Sequence, residues 1–146
     1  MTVQYITRTH PLYKEAVNIR INCFFNDMKN KSQLIQDTYE ESGLHLICLH
    51  NNEIVGTGRL NIDDTLGIIS QMAVAEKNQR KGIGQLILLT LLKKCEEEQL
   101  ERVTLNARET AIEFYKKKGF KVSGEKYPSK KTGIIHQKMV LVLKEQ

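Results

Sequence analysis

The chain has 146 residues, 40% of them hydrophobic and 27% charged, a mix that suits a soluble globule with a packed core and excludes a disordered tail, a collagen-like fibre and a membrane bundle. The 22 Lys and Arg against 17 Asp and Glu leave a net charge of +5, enough to attract a polyanionic ligand but too little to argue for nucleic acid. One composition regime, with 9 Gly and 2 Pro, predicts a single domain over residues 1–146. Cys23, Cys48 and Cys95 are far apart, odd in number and without a C-x-x-C pair, so no disulfide framework or metal site is expected. The opening MTVQYITRTH lacks a positive n-region followed by an apolar stretch, and the reduced cytoplasm is the expected setting.

A helix is expected from Pro11, a residue tolerated in a first turn, with Leu12, Ala16, Ile19 and Cys23 at helical spacing. The polar stretch Asn26–Ser42 has room for a short helix near Leu34-Ile35. Leu44–His50 alternates as a strand, Asn51-Asn52 offers a tight turn, Ile54–Ile62 returns, and Asp63-Asp64 turns again. Leu66–Ala75 is almost continuously apolar and predicts a central strand. After a polar loop at Glu76–Lys81, Gly82–Gln99 predicts a long helix, apolar at Ile83, Leu86, Ile87 and Leu91 and widened by Leu88, Leu89 and Leu92. The segment Leu86–Leu92 is too short to span a bilayer. Glu101–Asn106 is a short strand, Glu109–Lys118 a helix closed by Gly119, and Phe120–Tyr127 with Ile134–Leu143 an antiparallel pair around Pro128–Gly133. Strand, helix and strand over 66–106 make a parallel, right-handed βαβ unit inside an α/β fold with a mixed sheet.

The chemistry is concentrated in Gln79-Arg80-Lys81-Gly82-Ile83-Gly84, between a buried strand and a long helix. Two glycines one residue apart let the backbone turn tightly, and the first amides of the next helix lack intrahelical acceptors, so such a place binds phosphate. Arg80 and Lys81 add two cations. A P-loop would need Lys-Ser/Thr after the last glycine, where Gln85-Leu86 stands. A dinucleotide fingerprint would need Gly or Ala at position 87, which is Ile. A plain turn opening a helix is the remaining alternative to a pyrophosphate loop.

Gln79-x-x-Gly82-x-Gly84 fits the Gln/Arg-x-x-Gly-x-Gly/Ala pattern of the GNAT N-acetyltransferases. From Leu66 to the C-terminus the chain resembles this family, through the strand Ile69–Val74 before the loop and through Ala111-Ile112-Glu113-Phe114-Tyr115-Lys116-Lys117-Lys118-Gly119-Phe120, similar to its A-x-x-x-[F/L]-Y-x-x-x-G-F signature. The resemblance implies a mixed, mostly antiparallel sheet with a central parallel βαβ unit and flanking helices. It implies that Gln79, Arg80, Lys81, Gly82, Ile83 and Gly84 bind the pyrophosphate of acetyl-CoA, and that Met72, Ala73 and Val74 run along its pantetheine arm on a strand splayed from its parallel neighbour. A backbone N–H of that strand would polarise the thioester carbonyl.

The same resemblance makes Tyr115 the proton donor to the departing thiolate. A free thiol titrates near ~8.5 and a phenol near ~10, so a tyrosine can donate a proton or a hydrogen bond as charge develops on sulfur. A core tyrosine packed on Phe114 is the plain alternative. The acceptor, a primary amine, must lose a proton, and His45, Glu53, Asp63, Asp64 and His136 are candidates to take it. His136 is favoured because Gly133-Ile134-Ile135-His136-Gln137-Lys138-Met139 resembles the G-I-P-H-x-x-M ending of one branch, with Ile135 in place of proline. Many members carry Asn seven residues before the tyrosine, where this chain has Arg108. Leu105-Asn106-Ala107-Arg108 matches a branch pattern that assigns Asn106 to the cofactor, leaving Arg108 to contact an acidic acceptor or to lie in solvent.

The reading is an acetyltransferase that takes acetyl-CoA and an amine, as a monomer or homodimer, without nucleic acid, membrane or metal. A non-catalytic acetyl-CoA sensor or interaction module on the same fold is the alternative. A nucleic-acid adaptor is disfavoured by an aromatic content of 6%.

Overall fold

The alternating strand at Leu44–His50 and the apolar run at Leu66–Val74 join one sheet in a computed structural model of the chain, which describes residues 1–25, 28 and 35–144. The strands are β1 (Thr2–Ile6), β2 (Leu44–His50), β3 (Glu53–Asp63), β4 (Leu66–Val74), β5 (Arg102–Arg108), β6 (Lys121–Val122), β7 (Tyr127–Pro128) and β8 (Ile135–Val142). Their order is β1-β2-β3-β4-β5-β8-β6, with β7 also on β8, and β4–β5 is the parallel pair among antiparallel ones. Asn51 and Asn52 (φ 53° and 65°) and Asp64 (φ 56°) form the turns at the expected places. β1 is not among the expected elements, because only Ile6 of its residues is buried and its alternation carries little apolar signal.

Helix α2 (Ile83–Glu97) lies on one face and buries Ile83, Ile87, Leu88, Leu91, Leu92 and Cys95 against Leu46, Leu60, Ile69 and Val103. Gly58 makes this close approach possible: a Cβ there would stand 2.8 Å from Ile87 and 3.0 Å from Leu91. Leu89, expected to widen the buried stripe, is instead exposed, because it points away from the sheet. Helix α1 covers the other face, Ala16 packing with Ile6, Ile47 and Ile54. It runs over Tyr13–Arg20 rather than from Pro11 and then widens into a π-helical turn at Ile21–Phe25, a distortion common near functional sites. Leu34 of the second expected helix lies outside the described residues, while Ile35 is buried.

The last third departs from expectation in two places. Glu109–Lys118 is a 3₁₀ turn at Glu109–Ala111 followed by α3 (Ile112–Lys116), with Gly119 at φ 96° behind it. Phe120–Tyr127 is not one strand but the two short bridges β6 and β7. Between them the buried Gln137 amide donates to the Ser123 and Gly124 carbonyls (3.1 and 3.0 Å), taking the place of ladder bonds. Among the described residues, no helix is long and apolar enough to cross a membrane.

Two irregularities in β4 shape the site. Its pairing with β5 ends after Leu66–Arg102, Gly67–Val103 and Ile68–Thr104. Opposite Gly58, Gln71 and Met72 together form a bulge, with Gln71 in the left-handed region at φ 54°. Beyond Ile68 a cavity of about 460 Å³ opens, lined by Ile69–Met72 of β4 and Leu105–Arg108 of β5.

Candidate active site

Past the bulge the chain leaves β4 and turns into α2. Arg80 (φ 65°) and Gly82 (φ 81°) are both left-handed, the geometry of an anion-binding concavity of successive amides. The first α-helical bond is donated by Leu86 to the Gly82 carbonyl (3.1 Å), so the N–H groups of Ile83, Gly84 and Gln85 precede the helix's own bonding. A Cβ on Gly82 would meet nothing within 4 Å, which puts open space where a phosphate would sit. The Ile83 side chain is buried in the core, so only its backbone faces that space. Gln79 braces the loop by donating from Nε2 to the Val74 carbonyl (3.1 Å), which also accepts from Cys23 Sγ (3.3 Å). Arg80 and Lys81 are exposed beside the turn.

Tyr115 and Met72 both line the cavity, and the Tyr115 hydroxyl donates to Met72 Sδ at 3.6 Å. Edge-on contacts with Phe114 and Phe120 (centroids 5.0 and 5.8 Å) fix the ring. Burial pushes the phenol up to about 12, so it stays protonated throughout the physiological range. Complete transfer to a thiolate of ordinary basicity, near ~8.5, would be uphill by about 5 kcal/mol. A hydrogen bond that strengthens as sulfur becomes negative avoids that cost.

Asn106 and Arg108 lie on the same side of β5, alternating with the buried Leu105 and Ala107, and both line the cavity. Arg108 is half-buried; Nη2 donates to the Cys23 carbonyl (3.1 Å) and the guanidinium carbon sits 5.3 Å from the Phe24 ring centre. Directly opposite in the β5–β8 register is His136. Its Nδ1 is 2.8 Å from the Ile134 carbonyl, a contact that needs the proton on Nδ1 and leaves Nε2 as the acceptor in neutral imidazole.

Of the five candidate bases only His136 lines the cavity. His45 is buried, with Nε2 against the Glu40 carbonyl (2.9 Å), and burial lowers its pKa. Glu53 is exposed beside Lys77 (3.7 Å), and Asp63 and Asp64 form the turn at the opposite end of β4.

One wall of the cavity, at Asp37 and Arg59, rests on a buried ionic network that no motif signals. Arg20 grips Glu40 with two bonds (2.7 and 2.8 Å), Arg59 Nη1 adds a third (2.7 Å), and the Tyr13 hydroxyl a fourth. Burial alone would raise the Glu40 carboxyl, but Arg20, Tyr13 and Arg59 overcome it and hold the pKa at about 2. Arg59 also takes both Asp37 oxygens (3.0 Å each) and donates from Nε to Ser70 (2.9 Å), while Arg20 Nε donates to the Gln71 side chain (3.1 Å). Residues 37–40 are thereby locked to the β4 bulge. The one sequence signal for this network is Arg59 itself, a charge in the middle of the strand expected over Ile54–Ile62.

A family model described as an acetyltransferase (GNAT) domain matches residues 10–143. YjcF of Bacillus subtilis, described as an uncharacterized N-acetyltransferase, is 27% identical over 121 residues, covering 83% of this chain and 86% of its own. Among solved structures, Escherichia coli ElaA superposes with a TM-score of 0.82 at 19% identity, covering 97% of this chain and 99% of its own. A GNAT family acetyltransferase of Elizabethkingia anophelis, solved with acetyl-CoA bound, gives 0.74 at 22% identity over 97% of each chain.

Proposed function

Because the chain belongs to the GNAT acetyltransferase family, we propose that it transfers acetyl from acetyl-CoA directly to a primary amine, with residues 1–146 acting as one domain. The observation that carries this reading is an arrangement along β4: the strand whose Met72 accepts from the Tyr115 hydroxyl and lines the same cavity as His136 leads directly into the bare amides at Gly82–Gly84. Its loop end suits a diphosphate: open space over Gly82, unspent amides, and the Arg80 and Lys81 cations. Met72 and Asn106 line the cavity, and Ala73, its side chain buried, and Val74 continue β4 from Met72 toward the loop, the stretch whose backbone a pantetheine arm would follow.

In the reaction the amine nitrogen bonds to the acetyl carbon and the carbon–sulfur bond breaks. Nitrogen loses a proton to the base, and sulfur leaves as the thiolate, which then takes up a proton from water to become the free thiol. His136 Nε2 is the group assigned to accept from the amine, and Tyr115 the group that hydrogen-bonds the developing thiolate. The bulge at Gln71-Met72 turns backbone away from the β3 ladder toward the cavity, where an N–H can polarise the thioester carbonyl.

The test is release of free thiol from acetyl-CoA with a panel of primary amines, beside a calorimetric titration with coenzyme A. Saturable binding with amine-dependent release is expected. Binding without release from any amine would identify a sensor, and absence of binding would remove the assigned loop.

A further inference from the structure

We propose that the acceptor is a small primary amine carrying its own carboxylate, and that Arg108 and Lys130 hold that carboxylate in the cavity. The inference rests on the acetyltransferase reading and adds the acceptor's class to it. Its basis is the charge left over once the buried network is closed. Arg20 and Arg59 are matched one for one by Glu40 and Asp37, and Asp37, the one carboxylate among the described lining residues, has both oxygens engaged by Arg59. Among the described lining residues, Arg108 and Lys130 add two further cationic side chains.

Such a surface repels an acceptor that brings only ammonium groups, as a polyamine does, and attracts one with a compensating anion. Arg108 is suited to hold it. Its position is fixed by the Cys23 carbonyl and the Phe24 ring, yet that carbonyl takes only one of the five N–H donors of a guanidinium. Lys130 belongs to the 129–133 turn that closes the same cavity. A volume of about 460 Å³, shared with the thioester end, favours a small molecule. The arrangement also helps the chemistry: nearby cations lower the pKa of an ammonium, and a carboxylate anchored on Arg108 leaves the nitrogen near His136, its cross-strand neighbour.

The experiment compares kcat/KM for thiol release with α-, β- and γ-amino acids, each against its carboxamide, with putrescine as the diamine. At least one amino acid should exceed its carboxamide by roughly 10–100-fold, the scale of a charge-assisted hydrogen bond. In Arg108→Gln, and less strongly in the exposed Lys130→Gln, that ratio should shrink while coenzyme A affinity is kept. A turnover-free arm titrates the N-acetylated amino acids and their carboxamides into the protein–coenzyme A complex. Release with carboxamides or putrescine equal to or above that with the acids overturns the proposal and leaves acetyl transfer standing. Selective binding of the acids without release from any amine keeps the anion site and overturns acetyl transfer. Neither release nor selective binding overturns both.

Discussion

The loop that opens α2 and the cavity beside the β4 bulge are built on different principles. The loop end is made of consecutive residues, Gln79–Gly84, and its features are backbone features: two left-handed residues and the unspent amides of α2. The cavity end is assembled from Arg20, Asp37, Glu40, Arg59 and Gln71, distant in the chain and joined by side-chain bonds, with Arg108 and His136 opposite one another across β5 and β8. A backbone that must be left-handed restricts which residues can occupy it, so the first end writes a motif. An ion pair between distant residues restricts only charge and reach, so the second end writes none.

The contrast can be broken at either end. The largest effect is expected for Gly82→Val, which puts a β-branched side chain at φ 81° and into the open space over the loop. Coenzyme A binding should fall below calorimetric detection while the circular dichroism spectrum stays native; retained affinity would refute the assigned loop. Next is Tyr115→Phe, which should cut turnover by roughly 10²–10⁴-fold with coenzyme A affinity unchanged. Unaltered turnover would reduce Tyr115 to a packing residue.

Glu40→Gln attacks the other end. It leaves Arg20 without its carboxylate and Arg59 with Asp37 alone, at an expected cost of about 3–5 kcal/mol in urea unfolding. The pH dependence has a definite sign. The folded-state pKa of Glu40 is held at about 2, below its ordinary 4.5, so an unfolded chain protonates first as pH falls. Its contribution to stability is full above about pH 4.5 and drains away toward pH 2. The variant should lack that part of the acid slope, and an unchanged slope would mean that the network does not support the fold. The smallest effect is expected for Lys126→Ala, which removes the half-exposed 2.8 Å pair with Glu109. A loss under about 1 kcal/mol would sharpen the comparison between buried and solvated ion pairs.

Much of the fold was legible because it rests on short-range periodicity. The turns at Asn51-Asn52 and Asp63-Asp64, the apolar β4 and the stripe of α2 follow from residues a few positions apart. Leu89 lies outside the buried face because a stripe wide enough to hold Leu88 and Leu92 says nothing of where the sheet beneath it ends. Phe120–Tyr127 does not form one strand because the side chain of Gln137, ten or more residues away, takes the carbonyls that a strand would have paired.

The sequence by itself determined the Gly-x-Gly turn that opens α2, the βαβ frame and the presence of a tyrosine and a histidine in family-like contexts, since each depends on local conformation or on a contiguous pattern. Only the tertiary structure decided that His136, and not His45, faces the cavity, that Asn106 and Arg108 share one side of β5, and that Glu40 and Arg59 tie residues 37–40 to the β4 bulge. Those facts depend on which face of which strand meets which neighbour, and that is fixed by register and packing across the whole sheet.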